Sequence, residues 1–168
     1  MSSNPYTPPR AAVSDVESEQ EFQEIRMWSA KGRLGRLRYL AYFTGAYLIL
    51  GAIMAGVNAA ASETVAGAIF LLLYAVAIVF GILVAIQRSH DMDWSGWTVL
   101  LQLIPLVGFI WVFKRGTEGP NTYGLPPPPN TLGVKILGVL LPVIFLIGIM
   151  AAIAIPAYVQ YTQRAAGG

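Results

Sequence analysis

Four long stretches of the chain contain no charged residue. They run from 39 to 62, from 64 to 87, from 94 to 113 and from 136 to 163. The hydrocarbon core of a bilayer is about 30 Å thick, and a helix needs about 20 apolar residues to cross it. Because each stretch reaches or nearly reaches that length, the pattern predicts an all-α, polytopic integral membrane protein with four hydrophobic segments in a small helical bundle.

The composition points to the same environment. Of the 168 residues, 55% are hydrophobic and 12% are charged, whereas about 25% of the residues in a soluble domain are charged. The net charge of +2 comes with basic residues that lie beside the apolar stretches. Such residues act as topology signals, so no nucleic-acid partner is expected.

The third stretch leaves two topologies open. From Trp97 to Phe113 a helix would be only about 25 Å long, and Pro105 interrupts its middle. If all four stretches span, six flanking Lys and Arg residues lie inside and three lie outside; if the third is re-entrant, the division is eight to one. Because Lys and Arg concentrate on the cytoplasmic side, the count favours a re-entrant segment and an external C terminus, although a full span is commoner for such a stretch.

The remaining regions divide the chain further. Residues 1–27 are polar and acidic and are predicted to form a disordered cytoplasmic tail. A basic juxtamembrane segment, 28–38, precedes membrane segments one to three, 39–113. The loop 114–131 is rich in Gly and Pro, and its four consecutive prolines favour a stiff polyproline II spacer. The last membrane helix and its tail occupy 132–168.

Basic and aromatic residues mark the expected cytoplasmic interface. Lys and Arg near a membrane segment are attracted to the anionic cytoplasmic leaflet, and Trp side chains settle at headgroup depth. The N terminus is therefore expected in the cytoplasm. The simplest interpretation of the basic residues is a topology anchor, and specific recognition of a lipid headgroup is the alternative. The residues assigned to lipid or interface contact are Lys31, Arg33, Arg36, Arg38, Arg88, Trp94 and Trp97.

The densest group of polar residues lies between the second and third stretches, from 87 to 97. It contains the only histidine, His90, next to Asp91. A structural or catalytic zinc site needs three or four protein ligands, and the chain has no Cys and no further His. We therefore expect no catalytic residue, no metal and no cofactor. Arg88 is expected to meet a phosphate or a carboxylate, and Asp91 or Asp93 to cap the following helix.

Four motifs in the middle of the chain resemble one bacterial family. They are the basic run Gly32–Tyr39, the Arg88–Trp97 loop, the Ile104–Gly108 run and the Gly119–Gly124 segment. Over residues 32–126 they resemble the inner-membrane family called domain of unknown function 805, which implies an inner-membrane protein without an established activity. This chain has Thr122 where the family usually has a basic residue. The motif residues are Arg88, His90, Asp91, Ser95, Gly96, Trp97, Asn121, Tyr123 and Gly124.

The C-terminal helix resembles a different family. Residues 147–165 are similar to the hydrophobic N-terminal helix of type IV pilins, including Pro156 and the Tyr158 that follows it. Pilins carry a Gly at their cleavage site and a Glu shortly after it, and alignment on Pro156 places Val134 and Val139 at those positions. Because neither residue is present, the resemblance implies a contact with pilins. It does not imply that this chain is processed and incorporated as a pilin subunit.

These observations predict a non-enzymatic protein of the bacterial inner membrane that acts through lipid or protein contacts in the cell envelope. Membrane lipids are the expected partners, and other membrane proteins or pilins are further candidates. Two alternatives stay open. One is a small transporter or channel component, for which Gln102 and Pro105 are the best polar features near the midplane. The other is an accessory partner of type IV pilus assembly.

Overall fold

A computed structural model describes residues 22–166. Its helices are α1 (Arg36–Ala60), α2 (Glu63–Asp91), a 3₁₀ helix (Gly96–Leu103), α3 (Phe109–Phe113) and α4 (Leu132–Ala166). Three of them, α1, α2 and α4, are long and apolar enough to cross a membrane. The predicted class, an all-α membrane protein, is confirmed, whereas the count of four spanning segments is not.

The third apolar stretch forms two short helices in place of one long helix. The 3₁₀ helix and α3 are separated by a turn that contains Pro105 and Leu106. Leu106 has a φ angle of 70°, which lies in the left-handed region that residues other than glycine seldom adopt. The proline and this backbone conformation together end the first helix and let the chain change direction.

The two ends of this stretch lie together. The ring centroids of Trp94 and Trp111 are 5.7 Å apart in an edge-to-face arrangement. The Lys114 Nζ atom lies 3.9 Å from the centroid of the Trp94 ring. The stretch therefore leaves the C-terminal end of α2 and returns to it, which is the path that a re-entrant segment takes.

Helices α1 and α2 form an antiparallel hairpin. Only Ala61 and Ser62 separate them, and the Ala61 amide closes the turn by donating to the Val57 carbonyl at 2.8 Å. The buried apolar core lies at the opposite end of the hairpin, near the start of α1 and the end of α2. Its members are Leu34, Tyr39, Val84, Ala85, Met92 and Trp111.

Helix α4 packs against α1 and begins at the same end of the molecule. The Arg38 guanidinium donates to the carbonyls of Pro128 and Pro129 at 3.1 and 3.0 Å, and these prolines lie just before α4. At Gly138 the two helices approach so closely that a Cβ atom would overlap the carbonyl and side chain of Leu37. The proline run thus holds the start of α4 beside the start of α1.

The outer part of α4 is exposed on all sides. From Val143 to Ala166 every residue except Ala151 is exposed, and the helix continues through Pro142 and Pro156. Each proline removes one backbone donor, but leaving the helical conformation in lipid would expose more unpaired backbone groups. An apolar helix of this kind is suited to contact with lipid or with other membrane helices.

Residues 22–27, which the sequence assigned to a disordered tail, contact the rest of the molecule. The Gln23 amide donates to the Pro126 carbonyl at 3.1 Å. The Gln87 side chain donates to the Arg26 carbonyl at 2.8 Å. The polar composition does not reveal these contacts with residues far away in the chain. The rest of the predicted tail, residues 1–21, lies outside the described residues.

Candidate functional site

A cluster of buried charges lies at the C-terminal end of α2, where Arg33 and Arg88 share the carboxylate of Asp91. Arg33 Nη2 lies 3.2 Å from Oδ1, and Arg88 Nη1 lies 2.6 Å from Oδ2. The three residues, here called the Asp91 cluster, are 1%, 0% and 4% exposed in the order Arg33, Arg88 and Asp91. Each carboxylate oxygen therefore accepts a charge-assisted hydrogen bond from a different guanidinium.

Arg33 also binds the loop that precedes α4. Its guanidinium donates to the carbonyls of Thr117 and Gly119 at 2.6 Å each and to that of Gly124 at 3.2 Å. A guanidinium has five N–H donors in a fixed planar arrangement. Arg33 can therefore hold the loop and Asp91 at the same time, with its donors directed to protein acceptors.

Arg88 holds the returning end of the third apolar stretch. Its Nε donates to the Trp111 carbonyl at 2.9 Å, and its Nη2 donates to the Lys114 carbonyl. The Trp111 indole Nε1 donates to the Ser89 hydroxyl at 2.8 Å. These contacts join α2 to α3 and fix the position of the fully buried Trp111 ring.

Local sequence explains half of this geometry. Arg88 and Asp91 are three residues apart on α2, so their side chains lie on the same face of the helix. Arg33 comes from the segment before α1 and reaches Asp91 only in the folded chain. Gly116 lets the loop approach the carboxylate, because a Cβ atom at this position would overlap the Asp91 side chain.

His90 lies next to the cluster and stacks on Tyr123. The two ring centroids are 3.9 Å apart and the planes differ by 6°. His90 Nδ1 lies 3.1 Å from the Gly32 carbonyl, and because a carbonyl oxygen only accepts, Nδ1 carries the proton. The His90 carbonyl accepts from the Asn121 amide nitrogen at 2.8 Å. The histidine thus connects the start of α1, the end of α2 and the loop.

The last family motif forms a tight turn beside His90. Asn121 and Gly124 are joined by backbone hydrogen bonds in both directions, at 3.0 and 3.1 Å. Gly124 has a φ angle of 118°, a conformation that favours glycine. The Thr122 backbone amide donates to Asp93 Oδ1 at 3.2 Å.

The predicted helix cap is corrected by the structure. Asp91 belongs to the buried cluster, and Asp93 accepts from the loop. Ser95 precedes the 3₁₀ helix, and its hydroxyl accepts from the Trp97 amide at 3.4 Å. The cap is therefore Ser95, because both acidic residues are engaged elsewhere. Of the two partners expected for Arg88, the structure shows the carboxylate.

The residues assigned to the lipid interface fall into two groups. Arg33, Arg38 and Arg88 are buried within the protein, and their guanidinium groups bind backbone carbonyls or Asp91 in place of the lipid contact expected for them. The other four keep access to the surroundings, and lipid contact stays a prediction for them. Lys31, Arg36 and Trp97 are exposed, and Trp94 is half-buried.

The nine motif residues also divide in two. Most of them gather around the Asp91 cluster and the His90 ring, and Ser95, Gly96 and Trp97 lie at the start of the 3₁₀ helix, where they line one cavity with His90. Sequence reasoning missed Arg33 as a partner of Asp91, together with Gln87, Ser89, Trp111 and Thr117. The spacing of Arg88 and Asp91 on one helix could have identified that pair, but no local signal identifies Arg33.

The chemical role of the cluster follows from its hydrogen bonds. Within residues 22–166 there is no group of three or more His, Cys, Asp or Glu residues that could hold a metal ion. The charged groups of Arg33, Arg88 and Asp91 bind each other and backbone carbonyls. The arrangement therefore joins α2, α3, the pre-α1 segment and the loop into one unit.

Comparison with known proteins places this unit in a family. No curated protein and no solved structure matches the chain. A protein-family model matches residues 27–125, which include α1, α2, the third apolar stretch and the whole Asp91 cluster. Helix α4 lies outside the match, and its likeness to pilins is not confirmed. Because the match covers more than half of the chain, the protein belongs to the family described as Protein of unknown function (DUF805).

Proposed function

We propose that this protein is a non-enzymatic protein of the bacterial inner membrane that acts through lipid and protein contacts. The proposal rests on the observation that the charged groups of the Asp91 cluster are paired within the protein. Each guanidinium nitrogen of Arg33 and Arg88 and each carboxylate oxygen of Asp91 has a partner within the cluster or on a backbone carbonyl, so the cluster stabilises the fold. Exposed apolar helix faces, by contrast, are available to lipids and to other membrane helices.

The arrangement of basic residues supports a cytoplasmic position for the Asp91 end. The starts of α1 and α4 and both ends of the third stretch meet there. Exposed Lys31, Arg36, Lys114, Arg115 and Lys135 therefore gather at one end of the molecule. Because positive residues are concentrated on the cytoplasmic side of a membrane protein, this end, and with it the N terminus, is proposed to face the cytoplasm.

The proposal is tested by photo-crosslinking in native membranes. A photo-reactive amino acid replaces Tyr158 on α4, and the matched control carries it at Leu71 on α2, because these side chains are similarly exposed, at 68% and 67%. If α4 contacts another membrane protein, Tyr158 yields a discrete protein adduct and Leu71 yields only lipid adducts. Lipid adducts alone at both positions would argue against the protein contact.

The non-enzymatic part of the proposal has its own test. His90 is the only histidine of the chain, and its ring packs on Tyr123. His90→Phe keeps an aromatic ring for this stack and removes both ring nitrogens. In a strain in which loss of the gene has a measurable phenotype, the variant is expected to complement as fully as the wild-type chain at a normal protein level. Failure to complement with normal protein level and normal stability would contradict the proposal and favour a chemical role for His90.

A second candidate is an accessory role in type IV pilus assembly. It is favoured by the exposure of the pilin-like segment, residues 147–165, in which every residue except the half-buried Ala151 is exposed. The start of α4 beside the start of α1 also gives this helix the direction of a pilin helix, from the cytoplasm outward. Identification of the Tyr158 adduct by mass spectrometry decides the matter. A pilin would support this role, and an unrelated membrane protein would exclude it.

A further inference from the structure

Two cavities beside α2 share one wall and form a continuous groove. The cavity nearer the Asp91 end has a volume of about 730 Å³ and is lined at its polar end by His90, Ser95 and Tyr123. The other, of about 250 Å³, continues between α1 and α2 as far as Tyr74. Ligand pockets in proteins commonly measure about 300–1,000 Å³. The residues shared by both cavities are Ile82, Val99 and Gln102.

The groove has the length and polarity of one membrane leaflet. Ala85 lines it near Gln102, and Tyr74 lies at its far end. These two residues of α2 are separated by about 16 Å, given a rise of about 1.5 Å per residue. Half of the hydrocarbon core of a bilayer is about 15 Å thick. A groove that is polar at the Asp91 end and apolar beyond therefore follows the course of one acyl chain.

The groove opens sideways onto an apolar surface. Its rim includes Trp97, Leu100 and Leu103, which are 80%, 56% and 82% exposed. Side chains of this kind on a membrane protein face the hydrocarbon region or its boundary with the headgroups. A ligand would therefore enter from the bilayer.

One buried donor in the groove lacks a partner. Gln102 Nε2 is the one buried side-chain nitrogen or oxygen in the described part of the chain that makes no hydrogen bond. Its side chain interacts with Tyr39, yet the amide nitrogen forms no bond of normal geometry. An unpaired buried donor is unfavourable, and hydrocarbon offers no water to pair with it. A ligand with a hydrogen-bond acceptor at this depth would satisfy it.

We propose that the groove binds a diacyl phospholipid of the cytoplasmic leaflet, with Gln102 Nε2 donating to an ester carbonyl. The acyl chain lies along Ile82 and Val99 toward Tyr74, and the headgroup lies near His90. The ester carbonyl is the acceptor that a phospholipid carries between its headgroup and its acyl chain. The assignment to the cytoplasmic leaflet rests on the orientation proposed above.

The test compares two lipids that differ only in this acceptor. The full chain, purified in a mild detergent, is incubated with dioleoyl phosphatidylethanolamine or with its diether analogue, which has no ester carbonyls. Native mass spectrometry then measures the lipid that stays bound. The wild-type chain is expected to retain the ester lipid about two- to tenfold better, as one neutral hydrogen bond predicts. Equal retention of the two lipids by the wild-type chain would overturn the proposal.

Variants separate the donor from the groove. Gln102→Leu removes the donor and is expected to abolish the preference for the ester lipid, whereas Gln160→Leu, the same change on the exposed face of α4, is expected to keep it. Val99→Trp fills the shared wall and is expected to reduce retention of both lipids. Its control is Val79→Trp, which lies on the exposed face of α2 outside the groove.

Failure of the lipid-binding proposal can be told apart from failure of the proposed function. A Gln102→Leu chain that keeps the ester preference, or a Val99→Trp chain that retains both lipids fully, would sink the groove assignment. Circular dichroism and size-exclusion chromatography show whether each variant is folded. Where a variant does not fold, the comparison of the ester and ether lipids on the wild-type chain still tests the proposal. Loss of the Tyr158 adduct concerns the protein contact of α4, and leaves the ester-to-ether comparison unaffected.

Discussion

Two arginines bind one carboxylate in the Asp91 cluster, and each takes a different oxygen. The buried groups carry one positive charge more than they carry negative charge, and burial of an unpaired charge is costly. Backbone carbonyls offset that cost, because those of Thr117, Gly119 and Gly124 accept from Arg33 and those of Trp111 and Lys114 accept from Arg88. The cluster therefore depends on the number and planar geometry of the donors as much as on the charge.

Replacement of Arg33 by lysine tests this dependence on geometry. An ammonium group has three donors and no planar fork, so Lys cannot reach Asp91 and three carbonyls together. Arg33→Lys is expected to lower the free energy of unfolding by about 2 kcal/mol, because at least one buried acceptor loses its donor. Arg36→Lys is the control, since Arg36 is exposed and donates to a single carbonyl. The free energy of unfolding of both variants is measured in detergent. An equal decrease for Arg33→Lys and Arg36→Lys would contradict the prediction.

Gly116 is a second residue on which the cluster depends. A methyl group here would overlap the Asp91 carboxylate, so Gly116→Ala forces the carboxylate or the loop to move. Overpacking of this kind costs about 1–3 kcal/mol, and the variant is expected to unfold at a lower temperature. Gly133→Ala is the matched control, because a Cβ atom at Gly133 meets no other atom within 4 Å. A thermal shift as large for Gly133→Ala would show that the Asp91 contact is not the cause.

At the scale of elements, α4 is attached to the rest of the molecule at one end. Arg38 and the proline run hold its start, and Gly138 lets it approach α1. Small residues permit such close approach in membranes, where helix association relies on packing and hydrogen bonds. Beyond this contact the helix is exposed, so its outer part is free for lipids or a partner.

Gly138→Val is expected to separate α4 from α1. The new side chain would overlap Leu37, and the cost of overpacking is about 1–3 kcal/mol. Gly148→Val makes the same change on the same helix where a Cβ atom meets nothing within 4 Å, and its effect is expected to stay within about 0.5 kcal/mol. Unfolding in detergent and disulfide crosslinking between cysteines introduced in α1 and α4 measure the difference. Crosslinking that is equally efficient in both variants would refute the claim.

At the scale of the whole molecule, the proposed topology has α1, α2 and α4 crossing the membrane, which would put the start of α1 and the end of α4 on opposite sides. The third apolar stretch returns to the end of α2 and does not change sides. The loop that contains Glu118 and the start of α1 then share one side, and the end of α4 lies on the other. In the orientation proposed above from the positive-inside rule, the first of these sides faces the cytoplasm.

Thiol labelling tests this topology directly, because the chain contains no cysteine. A single cysteine at Ala165 is expected to react with a membrane-impermeant reagent in intact spheroplasts. A single cysteine at Glu118, which is exposed, is expected to react only after lysis. The reverse pattern, with labelling at Glu118 and protection at Ala165 in intact spheroplasts, would contradict this topology, since it requires either four full spans or an inverted orientation, and would remove the topological support for a pilus role.

The sequence determined the membrane environment and the three long helices. Length and apolarity of a segment are local properties, and partition into a bilayer requires no particular tertiary partner. The same applies to Arg88 and Asp91, whose spacing on one helix makes them neighbours. Even the two topologies of the third stretch were recognisable, because Pro105 and the distribution of Lys and Arg are visible in the chain.

Only the tertiary structure decided which residues form the Asp91 cluster. Arg33 and Arg36 look alike in the sequence, but Arg33 is buried against Thr117, Gly119 and Gly124, whereas Arg36 is exposed. The difference lies in backbone carbonyls that are far away in the chain and carry no residue-specific signal. Because any residue supplies a carbonyl, no sequence pattern shows which arginine will meet one, and the fold alone assigns that role.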